Sequence, residues 1–419
     1  MKKNGFTLVE ITVCVVLLVT IFLIVVPKVN TMIKQKKQDS YNSLISTIKD
    51  AAQAYVYLNV NIVDDAIESQ GYYEVSIRTL QENELLENKL ENPLTGKNIP
   101  STSIVKIIKN NEEYIYKFSL DYQYLLEHII DLYSSEETRI SNGLKKDNTP
   151  DQNIRYYGSD PNNYVRFNNE LWRIIGVFGD NVKLIRSKSL GELSWDSSES
   201  SVNGGFGVNE WSQADLQVYL NKMYYGGDTT VTCYGGTKNS ITTCPTNILD
   251  NTAKTLIDNH TWNTGAIEYN TRTDTVAFYK DERGNQTGKI CNGGTFCSDT
   301  VERTTTWTGY IGLPYPTDYA YASGENICET NMVKQDSSDA YICENNNWMF
   351  KSIWYWTLSP FARSANSRYV WYVNGDGDVN NSNAASGGAV FPAIYLKSNV
   401  LIESGNGTSS SPYILKAGL

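Results

Sequence analysis

Met1-Lys2-Lys3-Asn4-Gly5-Phe6-Thr7-Leu8-Val9-Glu10 opens the chain, and a predominantly apolar run follows over 11–26. Glu10 is the only charge between Phe6 and Val26. At about 1.5 Å of helical rise per residue, a run of this length is able to span the hydrocarbon core of a bilayer. A secretory signal has a shorter core, with its small-residue cleavage site after that core. Here the small residue, Gly5, comes before it. Pro27 follows at once, where a proline within a helix removes a backbone donor and kinks the axis.

Beyond Pro27, Tyr41, Leu44, Ile45, Ile48, Ala52 and Tyr55 recur at three-four spacing. That spacing predicts one amphipathic helix over 6–58, with an apolar face to lay on a sheet. Residues 59–120 then alternate short strands with turns. Tyr72 to Val75, 104–109 and 114–118 read as strands, 76–84 reads as a helical turn carrying Leu80, and Asn92-Pro93-Leu94-Thr95-Gly96 reads as a turn. The next stretch, 121–150, is expected to be a helix followed by a polar linker containing Gly143 and Pro150.

The order of a short basic leader (1–5), Gly5, Phe6 and a lone Glu10 in an apolar helix resembles the prepilin signal of type IV pilins and pseudopilins. The resemblance implies cleavage between Gly5 and Phe6 by a prepilin peptidase, methylation of the new Phe6 amine, and storage of the subunit in the membrane. A carboxylate within a bilayer needs a partner. In the family Glu10 would meet the N-terminal amine of a neighbouring pilin subunit during assembly. The Asn92–Gly96 turn resembles one in Gram-positive pilin-like proteins. Lys28, Lys34, Lys36 and Lys37 follow the apolar run while only Lys2 and Lys3 precede it, so positive-inside counting points the other way. The cleavage motif and the cysteines favour an extracellular C-terminus and a single-pass protein of the cytoplasmic membrane that moves to the cell surface or a pilus.

With 419 residues, the chain suits roughly two or three domains. Its 36 basic and 46 acidic residues leave a net charge of −10, which repels phosphate, so no nucleic-acid partner is expected. Cys14 stands alone in the apolar run, and the other six cysteines fall into neighbours: Cys233 with Cys244, Cys291 with Cys297, Cys328 with Cys343. Six cysteines allow fifteen connectivities, of which the three sequential pairs are favoured by short polar loops. Such pairs belong to an oxidising compartment. Closing the 328–343 loop is worth on the order of 3 kcal/mol.

Residues 151–419 carry all nine tryptophans and every cysteine of those pairs. Asn163 to Phe167 and Leu171 to Val177 alternate around Asn168-Asn169, a hairpin pattern. Trp356-Thr357-Leu358-Ser359-Pro360 and Val390-Phe391-Pro392-Ala393-Ile394-Tyr395-Leu396 resemble segments of the C-type lectin-like/formylglycine-generating-enzyme superfamily of Gram-positive surface proteins. Relatives often carry Arg where Phe391 stands, and the calcium-dependent sugar triplets of animal lectins are absent, so no ligand site carries over. The fold class expected from these readings is α+β: a long N-terminal transmembrane and stalk helix packed on a small antiparallel sheet, then a large β-rich, disulfide-bonded lectin-like domain.

His128 and His260 are the only histidines, and the cysteines read as structural, so no catalytic residue and no enzyme activity are expected. Asp376 and Asp378, in the Asn374–Asp378 turn, offer hard oxygen ligands for Ca2+ but lack EF-hand spacing, and a solvated turn is the competing reading. No other cofactor is expected. Trp354, Trp356, Trp371 and Tyr372 suit either the core or an exposed platform for a glycan or surface-protein ligand. The function these features suggest is a minor or tip subunit of a type IV pilus-like filament that displays an adhesion or recognition domain. The alternative is a pseudopilin of a type II secretion-like or DNA-uptake system, for which the chain shows no basic stripe.

Overall fold

The computed structural model describes residues 8–119 and 124–417, except 95, 102, 111–112, 199–204, 238, 269–273, 285–303, 334–342 and 363–366. Side chains are described from residue 32 onward, save 34, 97 and 268. The chain divides into two compact units, Met1–Tyr122 and Gln123–Leu419.

The first unit is built on the helix Leu8–Leu58. Ile48, Ala51, Ala52, Tyr55 and Val56 lie on one face of it and are buried with Val75, Leu80, Val105 and Ile107. Leu80 comes from the short helix Ile77–Glu82, and the other three from an antiparallel sheet of three strands, Tyr73–Ser76, Ile104–Asn110 and Glu113–Ser119, with Ile104–Asn110 in the centre. A second helix, Val60–Gln70, stops at Gly71, which takes a left-handed φ of 86° and donates its N–H to the Ile67 carbonyl. The short helix Ile77–Glu82 starts because Ser76 Oγ accepts from the Thr79 N–H at 3.0 Å, satisfying a donor that the first helical turn leaves open.

The second unit holds two larger sheets around one core. In the first, Ile311–Gly312, Ala393–Leu396, Asn181–Arg186, Glu170–Phe178, Tyr164–Phe167, Tyr413–Ala417 and Val400–Ser404 are neighbours in that order. Tyr164–Phe167 and Glu170–Phe178 form the hairpin that the sequence predicts. Asn168 and Asn169 both have positive φ, 53° and 57°, the pair of left-handed residues that a tight two-residue hairpin turn requires. In the second sheet the order is Glu192–Ser194, Gly387–Ala389, Tyr355–Ala362, Tyr369–Val373 and Val379–Asn383. Trp172, Trp195, Trp211, Trp262, Trp356 and Trp371 are all fully buried in the core.

The expected fold class is overturned. Helix accounts for about 30% of the chain and strand for 32%, in several sheets, so the fold is mixed α/β. Among the described residues, no helix is long and apolar enough to cross a membrane. The side chains described on the long helix begin in its polar part, where Lys36, Lys37 and Asp39 are exposed. The second unit carries short helices beside its sheets. Leu125, Leu126 and Ile129 are the buried side of the helix Leu125–Ser134, and Pro316–Ala322 is a helix buried along its whole length.

The stretch expected to be a helix and linker, 121–150, falls largely within the second unit. Its polar end is not a tether: Leu144–Lys146 pairs with Ile154–Tyr156, and Asp147 is buried. Three hydrogen bonds to Asp147 Oδ1, from the Thr149 hydroxyl and the Thr149 and Asn153 N–H groups, turn that polar sequence into an interior corner.

Candidate functional site

The aromatic residues singled out by sequence divide between the two faces of one sheet. Trp356 pairs across to Tyr372, and Tyr372 to Asn380, so these three share a face with Trp354 and Ser382. Trp371 points to the opposite face, its ring 4.9 Å from both Phe278 and Phe361. It is fully buried, as is Trp356, whose indole N–H donates to the Leu193 carbonyl at 2.9 Å. Both are core residues, not a platform.

Trp354 and Tyr372 remain half-buried. Their rings meet edge to face at 5.2 Å, and Trp354 packs on Trp356 at 5.1 Å in the same way. Gly388 sits under this stack: a Cβ there would come within 2.5 Å of the Trp354 ring. The residue is Gly because the indole occupies the space. Ile353, 46% exposed, extends the apolar surface, and Asn380 and Ser382 are partly exposed beside it. Burial raises the pKa of the Tyr372 hydroxyl, with the negative Asp378 and Asp376 adding to it. The phenol therefore stays protonated at neutral pH and has an O–H to offer a ligand. An aromatic pair flanked by neutral amide and hydroxyl groups is equipped to bind a neutral polar ligand by stacking and hydrogen bonding.

Asp376 and Asp378 lie in the turn that joins two strands of this face. Asn374 Nδ2 donates to Asp378 Oδ1 at 2.9 Å, the Asn374 N–H donates to the Asp378 carbonyl, and Gly377 takes a φ of 91°. Among the described residues, no group of three or more His, Cys, Asp and Glu side chains could hold a metal ion.

Disulfides join Cys233 to Cys244 and Cys328 to Cys343, with Cα atoms 5.2 and 5.4 Å apart. The first forms part of the wall of a cleft of about 400 Å3, lined also by Met223, Val231, Thr229 and Thr243. Cys291 and Cys297 lie outside the described residues, as do Gly5 and Phe6. Glu10 lies on the long helix, but its side chain is outside the described residues.

Of the two histidines, His128 accepts or donates one hydrogen bond with the Tyr413 hydroxyl at 2.9 Å, and burial lowers its pKa to about 4. His260 stacks on Tyr395 at 3.7 Å with Nδ1 3.2 Å from Asp258 Oδ2. Its pKa is lowered by burial, against the raising effect of Asp258.

Compared with family models, curated proteins and solved structures, the chain matches none of them.

Proposed function

We propose that this chain is a subunit of a type IV pilus-like filament, processed between Gly5 and Phe6, whose second unit recognises a surface ligand outside the cell. The observation that carries the reading is the N-terminal order of basic leader, Gly5, Phe6 and an isolated Glu10 ahead of an apolar run. Two features of the structure support it. One is a helix whose far end packs an apolar face on a three-stranded sheet, which gives a subunit a rod-like part for assembly and a folded part to hold it. The other is a pair of disulfides, which suit an oxidising compartment. The partners are then a prepilin peptidase and neighbouring subunits, with Glu10 facing a neighbour's N-terminal amine. The recognition face is the Trp354–Tyr372 pair with Asn380 and Ser382, and a glycan or a polar protein surface is its ligand.

Mass spectrometry of filaments sheared from cells tests the assembly reading. An N-terminus at methylated Phe6 in that fraction supports it, and an intact Met1 end contradicts it. Processed chain confined to the membrane fraction would make the protein a pseudopilin instead. For the ligand face, a Trp354→Ala Tyr372→Ala variant should keep its fold and lose binding to glycan arrays or host matrix at least about tenfold, since one stacking aromatic contributes on the order of 1 kcal/mol or more. A folded variant that binds as well as wild type would remove this face from the reading.

A further inference from the structure

At the centre of the second unit, Lys183 from the strand Asn181–Arg186 reaches Asp318 on the helix Pro316–Ala322. Nζ lies 2.6 Å from Oδ2, and both side chains are 0% exposed. Around the amine stand four aromatic rings, with Tyr315 at 4.1 Å, Trp262 and Tyr395 at 5.3 Å and Phe178 at 5.5 Å. The other carboxylate oxygen, Asp318 Oδ1, accepts from Arg155 Nη1 at 2.6 Å, and Arg155 Nε donates to Asp147 Oδ2 at 2.9 Å. A third carboxyl, that of Glu282, is buried nearby, 3.4 Å from the Thr317 hydroxyl next to Asp318 and 3.1 Å from the Arg283 guanidinium.

We propose that Lys183 and Asp318 condense to an intramolecular isopeptide bond, with Glu282 as the proton carrier. The geometry supplies three requirements of amide formation. The nucleophile is held against the carboxyl at contact distance, which replaces a bimolecular encounter by a positioned one. Arg155 is placed on Oδ1, where negative charge builds as the tetrahedral intermediate forms. Water, which would solvate the ions and reverse the condensation, is kept out by the aromatic rings.

Against the raising effect of burial, Lys183 and Arg155 hold the Asp318 carboxyl below its ordinary range, so a proton has to be delivered to Oδ2 before the amine attacks. Burial lowers the Lys183 pKa to about 8, against the raising effect of Asp318, so roughly a tenth of the amine is neutral at pH 7. Burial, against the lowering effect of the Arg283 guanidinium and with a smaller contribution from Asp318, raises the Glu282 pKa to about 7, which lets it both take and give a proton at neutral pH. In the reaction Glu282 passes protons from Nζ to Oδ2, Nζ attacks Cγ, and the Cγ–Oδ2 bond breaks with release of water. An ammonium and a carboxylate become one secondary amide and one water, Glu282 returns to its starting state, and no oxidant or other reactant is consumed. Before condensation, the cluster of Lys183, Arg155, Asp147 and Asp318 has two positive and two negative charges; afterwards Arg155 and Asp147 remain as a balanced pair. Condensation therefore removes two buried ions, whose desolvation is costly, without stranding a third. It also ties a central strand to a helix 135 residues away with a bond that neither acid nor reductant opens.

Peptide mapping of the full-length protein after reduction and denaturation tests the proposal. Tryptic digestion should yield one branched peptide containing Lys183 and Asp318, lighter by one water than the two parts, with no cleavage after Lys183. Leader processing does not touch these peptides, so the result is independent of the filament reading. Lys183→Arg should give the unlinked mass, and Glu282→Gln should link about a hundredfold more slowly. Separate, unmodified peptides from folded wild-type protein would overturn the bond. A Glu282→Gln protein that links at the wild-type rate would overturn the role given to Glu282.

Discussion

The first unit fills its interior with apolar side chains, whereas the second also buries ions. In the first, Ile48, Ala52, Val63, Val75, Leu80, Val105 and Ile107 close over one helix face and one sheet face, and among the described residues no charged side chain is buried there. Among the described residues its ion pair, Lys109 with Asp64 at 3.1 Å, lies on the surface. In the second unit Arg155, Lys183, Glu282 and Asp318 are enclosed. The contrast shows two ways of specifying a fold. An apolar interior tolerates the loss of any one methyl group at modest cost, while an ionic one fails when a single partner is removed.

The largest effect should therefore come from Arg155→Ala. It strands the Asp147 carboxylate and leaves Asp318 Oδ1 without the donor that Arg155 supplies, and it should cost about 4 kcal/mol. All nine tryptophans lie in the second unit, so their fluorescence in a urea titration follows that unit alone. A midpoint unchanged from wild type would mean that the cluster does not support the fold. Replacing both Cys328 and Cys343 by serine should cost the same unit about 3 kcal/mol, through the freedom restored to the unfolded loop. The tryptophan transition should move by that amount, and reductant should have no further effect through this pair.

A pH series sharpens the contrast, because its two main groups act in opposite senses. For His128, held at about 4 against 6.5 when unfolded, the unfolded chain takes the proton first as pH falls. Its contribution is present above pH 6.5 and lost as pH falls through 4. For Glu282, raised to about 7 from 4.5, the folded chain keeps its proton longer as pH rises. Its contribution is present below pH 4.5 and lost as pH rises through 7. The two slopes oppose each other between pH 4.5 and 6.5. In His128→Gln only the falling slope remains, so the gap between variant and wild-type urea midpoints should change steadily across that window. A constant gap would contradict the assignment. The smallest effect belongs to the first unit: Ile107→Val should cost about 1 kcal/mol, visible in far-ultraviolet circular dichroism, with the tryptophan transition unmoved.

The same contrast explains what was legible in the sequence. The interior of the first unit follows from periodicity, since Ile48, Ala52 and Tyr55 recur on one face of a helix and Val105 and Ile107 alternate along a strand. The hairpin at Asn168-Asn169 and the pairs Cys233–Cys244 and Cys328–Cys343 also rest on local signals. The ionic centre does not. Arg155, Lys183, Glu282 and Asp318 are scattered over more than 160 residues, and a lone charge in sequence looks like a solvated one. One local hint existed: Lys183 interrupts the apolar strand Asn181–Arg186 at a position whose neighbours on both sides are Val182 and Leu184. Trp356 and Trp371 were offered as ligand contacts because sequence shows that an aromatic is large and not which side of a sheet it faces. The registers with Tyr372 and Asn381 decide that. The helices of the second unit were missed where short apolar groups, such as the one in Pro316–Ala322, carry less than three turns of periodicity.

Antibody labelling of intact cells with serum against residues 123–419 tests the filament assignment most directly, comparing wild type with a strain carrying Gly5→Glu. The expected result is label on filaments outside the wild-type cell, and loss of that label when Gly5 can no longer be processed. Equal surface labelling in the two strains, or filaments that never carry the label, would contradict it.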